Sequence, residues 1–291
     1  MPKIRVAAIL NVVPHYRKRF WEVIGESSDI EVTIFCQTEL PGSGLRLVHD
    51  EVPQAIVPVD FWGDERRAAW QRLPWKTLRD EYDVLVWYGN PRLVSGLVGA
   101  SVLKRMGKPV IIYGQAHTAG ANPMTKAMRL KWWQQFQYLL VYSDDEVTLL
   151  RKGGFTSQRI FGINNGLDQE AIDAAAAAWT PQALATFSEK NGLCGHRITA
   201  SLGRIQERQR LGLFIEALPE VVKSHPDLLH VVIGDGPLQK QLEMRAVELG
   251  VNRHIKWLGA VYGEDDLAPW LLSTEFLVHP GAVGLTLMHA F

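Results

Sequence analysis

Arg204 has the setting that says most about chemistry. In SLGRIQERQRLGLFIEAL it follows Gly203 at the end of a strand-like run, and Arg208 and Arg210 follow within one loop before a helical pattern begins. A planar guanidinium fixed at a strand end can grip a diphosphate through paired N–H donors. Arg208 and Arg210 are candidates to add charge toward a phosphate, although taken singly each reads as solvated surface charge. The run LHVVIGDGP places Gly234, Asp235 and Gly236 at the end of another apolar strand, with a helix expected from Pro237. Backbone N–H groups at such a turn favour an anion, but the third glycine of the dinucleotide fingerprint is missing, and a tight turn without a ligand accounts for the stretch equally well. His117, in YGQAHTAG after the strand PVIIY, is placed to bond a sugar hydroxyl or to move a proton near neutral pH, and a structural histidine is the competing reading. His15, Tyr16, Arg17, Lys18 and Arg19 follow the first strand at the same kind of edge and suit an anionic acceptor. Asn164, Asn165 and Gly166 form a turn signal that also exposes amides.

The elements that must hold these residues alternate. Runs at 4–10, 30–35, 54–59, 83–89, 109–114, 138–143 and 159–163 are continuous Val/Ile/Leu stretches between turn residues, as buried parallel strands require. Helical patterns lie between several of them, at 17–26, 92–107, 125–137 and 144–154. In the third, Met128, Trp132 and Phe136 recur at helical spacing and read as a buried stripe with Lys126, Arg129 and Lys131 solvated; docking on a membrane surface is the sharper alternative. Residues 168–195 change character to two helices, the first rich in alanine, and read as a connector. A second series follows, with strands at 197–204, 229–236, 254–261 and 275–281 and helices at 211–225, 237–250, 265–273 and from 285. The expectation is an α/β chain of two doubly wound, Rossmann-like domains, 1–167 and 196–291. The second is expected to be incomplete, since its last helix barely begins before Phe291.

At 291 residues the chain is long enough for two cores. No apolar run reaches the ~18 residues of a membrane span, and the first apolar stretch reads as a strand rather than a signal peptide. Cys36 and Cys194 suggest neither disulfides nor zinc, which points to the cytoplasm. Net charge is zero, yet residues 1–166 carry 21 Lys and Arg against 16 Asp and Glu, and residues 167–291 carry 10 against 15. The first half therefore suits an anionic partner such as a lipid phosphate or a membrane surface. Nothing calls for nucleic acid.

Taken in order, SDDEVTLLRKGG, INNGLD, SLGR, VVIGDGPLQKQLE, IKWLGAV and HPGAVGLTLMHAF resemble the consecutive landmarks of the GT-B glycosyltransferases of family 4, the glycosyl transferases group 1 class. The resemblance implies an enzyme that moves a sugar, with retention, from a nucleotide-sugar donor to a glycan or lipid-linked acceptor. A UDP- or GDP-sugar is the expected donor, no cofactor or metal is required, and a role in cell-envelope polysaccharide synthesis at the inner face of the membrane fits. It places the donor on the second domain. Arg204 then corresponds to the diphosphate-binding arginine, Gly203 and Gly234 to Gly236 to the adjoining turns, and Leu258, Gly259 and Val261 to the base-binding segment. Gly284, Leu285 and His289 lie in the signature region, and His117 resembles the histidine near the transferred sugar. The acceptor falls to the first domain, with His15, Tyr16, Arg17 and Asn165 at its edge. Three positions depart from the family pattern: Gln209 stands where it has a lysine, and Gly281 and His289 where it has its paired glutamates. Two other readings of the same fold stay open, a nucleotide-sugar epimerase and a non-catalytic or regulatory protein.

Overall fold

Alternating strands and helices of this kind can bury their apolar faces only by layering helices on both sides of a parallel sheet. The computed structural model describes residues 2–40, 45–64, 67–117 and 122–290. It divides into two compact units, Met1–Asn165 and Gly166–Phe291.

The strands of the first unit are β1 (Ile4–Ile9), β2 (Ile30–Cys36), β3 (Ala55–Pro58), β4 (Phe61–Asp64), β5 (Ala68–Gln71), β6 (Val84–Tyr88), β7 (Val110–Gly114), β8 (Tyr138–Val141) and β9 (Arg159–Gly162). Seven of them form a parallel sheet in the order β3-β2-β1-β6-β7-β8-β9, and β4 and β5 pair as a separate antiparallel hairpin. The direction of winding reverses between β1 and β6, which makes the C-terminal ends of those strands the crevice where ligands bind in open α/β sheets. Period-two alternation sorts the side chains of β1: Ala7 and Ile9 join one core with Phe35, Trp87, Ile112, Leu139 and Trp133, and Ala8 joins another with Trp21, Ile34 and Cys36. The helices are α1 (Lys18–Gly25), α2 (Trp75–Asp80), α3 (Val94–Arg105), α4 (Pro123–Trp133) and α5 (Asp144–Lys152).

In the second unit β10 (Arg197–Leu202), β11 (Leu228–Ile233), β12 (Ile255–Gly259) and β13 (Phe276–Leu277) form a parallel sheet in the order β12-β11-β10-β13. Its helices are α6 (Gln169–Ala177), α7 (Pro181–Asn191), α8 (Leu211–Ser224), α9 (Gln239–Glu248) and α10 (Glu264–Leu272). All of β11 is buried. A polar chain crosses the sheet: Thr199 Oγ1 lies 2.8 Å from His230 Nδ1, His230 Nε2 lies 3.1 Å from Ser201 Oγ, and Ser201 Oγ donates to Val278 O at 2.8 Å. Because the Ser201 proton goes to that carbonyl, His230 donates from Nε2 and accepts at Nδ1.

Several expectations change. The helix expected over 125–137 stops at Trp133, and Phe136 is brought in by the turn beyond it. The spacing from Met128 to Phe136 is thus not one helical stripe: Trp132, Trp133 and Phe136 are buried while Met128 is 48% exposed. The helix expected from Pro237 begins at Gln239. Of the strand expected over 275–281 only Phe276 and Leu277 pair, and Leu285–Ala290 is a 3-10 helix. The helices of the expected connector pack within the second unit, α6 against α10 and Phe187 of α7 edge-on to Trp270 at 4.9 Å. Among the described residues no helix is long and apolar enough to cross a membrane.

Candidate functional site

In the second unit the loop after β10 is held against the turn after β11 so closely that side chains are excluded. Gly234, at φ +142, would set a Cβ onto the carbonyl of Gly203, and Gly236 would set one onto that of Ile205. The Gly203 amide donates to Ile233 O, the Ile205 amide to Asp235 O and the Gly234 amide to Gly259 O, at 2.9, 2.7 and 2.7 Å. These amides build the turn and are not free for a ligand. The amides of Asp235 and Gly236 have no internal acceptor among the described residues. Arg204 is half-buried in the middle of this cradle, whereas Arg208 and Arg210 are exposed, Arg210 at φ +54 just before α8.

The segment 279–289 lies against the same loop. The Ala282 amide donates to Arg208 O at 2.9 Å, and a Cβ on Gly203 would touch Thr286 at 3.5 Å. Gly281 stands flush on the Arg208 and Gln209 backbone, which fills the space a side chain would need and accounts for a glycine where the family pattern has a glutamate. His289 donates from Nε2 to Glu264 at 3.1 Å. Leu258 and Val261 pack against the core that includes Ile198, Val231 and Leu267, while Gly259 turns at φ +78; Gly284 has open space around it and Leu285 is half-buried.

What marks this region as a site is unfinished hydrogen bonding. Arg204 Nε, Gln209 Oε1, His279 Nε2 and His289 Nδ1 are all buried with no partner, and all belong to these two facing segments. A buried polar atom left unpaired costs about 1–3 kcal/mol, so such a concentration is best explained by a polar ligand that completes the bonds. Burial also lowers the His279 pKa and favours a neutral ring. Gln209, His279 and Glu264 were not candidates from sequence. HPG after a strand was the available signal for His279; for Glu264, at the start of α10, there was none.

At the strand ends of the first unit, His117 is exposed and its amide donates to Glu146 Oε1 at 2.9 Å. The other carboxylate oxygen accepts from the Tyr142 amide, also at 2.9 Å, and the Glu146 amide is capped by Ser143 Oγ. Glu146 is 8% exposed. It clamps the loop after β7 to the turn after β8. Glu146→Gln turns one acceptor into a donor facing an N–H group. It should cost about 1–3 kcal/mol, read as a lower Tm and loss of amide protection at His117.

Around the same edge His15 packs edge-on to the exposed Tyr16 at 5.4 Å, and its amide donates to Arg46 O. Arg17 is buried, with its guanidinium 5.6 Å from the Phe20 ring centroid and 5.7 Å from that of Tyr142. Asn165 donates its amide to Tyr142 O at 2.8 Å, and its Oδ1 is buried without a partner. Tyr88, Tyr113 and Tyr142 form a row of rings at 6.3 and 5.7 Å along the strand ends.

Residues 186–291 match the family model of Glycosyl transferases group 1. The cradle at Arg204 and the unpaired atoms around it lie within these residues. The chain is 25% identical over 197 residues, 65% of its length, to a GDP-mannose-dependent alpha-(1-6)-phosphatidylinositol monomannoside mannosyltransferase of Mycolicibacterium smegmatis, and spans about half (49%) of that protein. Among solved structures, Anabaena HepE in complex with UDP and glucose superposes with a TM-score of 0.67 at 13% identity, over 96% of this chain and 74% of that one. WaaG, a glycosyltransferase involved in lipopolysaccharide biosynthesis, superposes with a TM-score of 0.60 at 14% identity, over 98% and 78%. The fold is therefore that of the GT-B glycosyltransferases, α/β with Rossmann-like units.

Proposed function

We propose that this protein is a retaining glycosyltransferase that takes a sugar from a nucleotide-sugar donor. The observation that carries the reading is the buried, unpartnered Nε of Arg204 within a backbone cradle that admits no side chains. A guanidinium there, with the free amides of Asp235 and Gly236, stabilises the charge that grows on the departing nucleotide diphosphate. The segment Leu258 to Val261 takes the base. His289, backed by Glu264, meets the donor ribose, so that a carboxylate still stands behind the contact although the signature glutamate is absent. His117, held through its backbone by Glu146, orients the sugar. The donor is a UDP- or GDP-sugar and no cofactor takes part. The screen that tests this is thermal shift against UDP-, GDP- and ADP-sugars. One nucleotide class should raise Tm, and no response to any of them would end the proposal.

We further propose a glycan or lipid-linked acceptor in cell-envelope synthesis, met at the inner face of the membrane. From Val84 to Ser143 the chain carries seven Lys and Arg and no Asp or Glu. α3 and α4 from this stretch line an open groove of about 490 Å³, with Val98, Val102 and Met128 on its rim each 43–49% exposed. Apolar rims among basic side chains suit anionic headgroups. The full chain should co-sediment with phosphatidylcholine vesicles containing phosphatidylglycerol, and Lys104→Glu with Lys131→Glu should reduce that binding at least tenfold; equal binding to pure phosphatidylcholine would count against it.

A further inference from the structure

Arg17 is a buried cation without a counter-ion. It is 8% exposed, and no carboxylate among the described residues lies within ion-pair distance of it. The acids nearby are already engaged: Glu51 pairs with Lys18 at 3.0 Å and Arg46 at 2.8 Å, and Glu22 and Glu26 pair with Arg19 at 3.7 and 3.3 Å. Burying an unpaired charge is costly, and proteins retain one where something else completes it. The Phe20 and Tyr142 rings attract the guanidinium but accept no N–H bonds of ordinary strength, so its donors keep their capacity for an anion. The Tyr142 ring also lies tilted against that of Tyr113 at 5.7 Å.

The surroundings narrow the ligand further. Arg17 follows β1 and Tyr88 ends β6, the two strands between which the winding of the sheet reverses. Asn165 flanks Tyr142 and presents a buried oxygen that lacks a donor. The charged oxygens of an anion cannot satisfy that oxygen, but a hydroxyl can. A group carrying both is a phosphate ester of a sugar or polyol.

We propose that Arg17 and Asn165 form a subsite for a hydroxylated phosphate ester on the acceptor. Arg17 binds the phosphate through paired N–H donors and Asn165 accepts from a neighbouring hydroxyl. The inference rests on reading the first unit as the acceptor side. The ester is either a lipid headgroup or a soluble sugar phosphate.

The test uses the full chain carrying Arg204→Gln, so that phosphate bound at the donor cradle does not interfere. Inorganic phosphate, glycerol 3-phosphate and phosphatidylcholine vesicles containing phosphatidylglycerol are the probes, with thermal shift for the first two and co-sedimentation for the third. Glycerol 3-phosphate should bind more tightly than inorganic phosphate if the ester is soluble; binding confined to the vesicles assigns the subsite to a headgroup. With docking at the α3–α4 groove removed by Lys104→Glu and Lys131→Glu in the vesicle arm, either response should disappear with Arg17→Met and fall about tenfold with Arg17→Lys, which loses the paired geometry. Without ligand, Arg17→Met should melt no lower than the parent, because its stem keeps the ring contacts while an uncompensated charge is removed. An Arg17→Met protein that melts well below the parent, or that keeps the parent's response, overturns the proposal, as does silence toward all three probes. Nucleotide-sugar binding by the chain with native Arg204 is read separately, and Arg17→Met should leave it unchanged. Loss of donor binding in the native chain would strike the transferase reading instead.

Discussion

Arg204→Ala should weaken nucleotide-sugar binding roughly ten- to hundredfold, an effect of about 1.5–3 kcal/mol, as expected when a charged hydrogen-bonding group is removed from a phosphate. Binding of the free nucleoside should change little. The contrast follows from position. Arg204 leaves β10 between Gly203 and Ile205, whose amides are fixed by Ile233 and Asp235, so its backbone is set by the sheet and its Nε is buried before any ligand arrives. A preorganised donor of this kind loses little entropy on binding, and alanine leaves nothing in its place. Arg204→Lys should recover only part of the loss, since an ammonium supplies charge without paired donors. Titration calorimetry with a nucleotide sugar and its nucleoside measures the difference. Equal losses for both would mean that Arg204 does not touch the phosphates.

Acidification should destabilise the second unit through His230, beginning near pH 6.5. Burial pushes the His230 pKa down from 6.5 to about 3. The ring is neutral in the folded protein but takes a proton in the unfolded chain below about pH 6.5, so the unfolded state binds more protons as pH falls. His230 therefore contributes fully above pH 6.5, and its contribution declines by about 1.4 kcal/mol per pH unit below that. From pH 6.5 to 5 the loss is about 2 kcal/mol; the half-buried His279 ring, shifted the same way, adds to it. His230→Asn keeps a polar group in the chain from Thr199 to Val278 and removes the titration. Its denaturation midpoint should start lower at pH 7 and stay flatter down to pH 5. A slope as steep as that of the unaltered protein would place the acid sensitivity elsewhere.

The parts of the molecule open to sequence reading were those that leave a local repeat. Buried parallel strands need unbroken Val, Ile and Leu, so β1, β2, β6, β7, β10, β11 and β12 could be placed from composition and turn residues. The start of α5 was visible in its acidic first turn, and the cap of α7 as Thr180 before Pro181; the Ser143 cap of α5 fell inside the run read as a strand. The β4–β5 hairpin and α2 escaped because short elements carry less than one useful period. Met128 was misplaced for a related reason, since a helical spacing was carried past Trp133, where the helix ends.

Unaided, the sequence determined the two α/β units and set Arg204, His117 and Arg17 at strand ends, because strand and helix periods are properties of neighbouring residues. Only the tertiary structure decided which of these groups lack partners. Lys18 and Arg19 find carboxylates while Arg17 just before them does not, and Glu146 turns inward to hold an amide 29 residues away. Gly281 is filled from outside by the backbone of Arg208 and Gln209. Pairing and exclusion of this kind depend on which distant segments the fold brings together, and a chain read in one dimension has no period that records them.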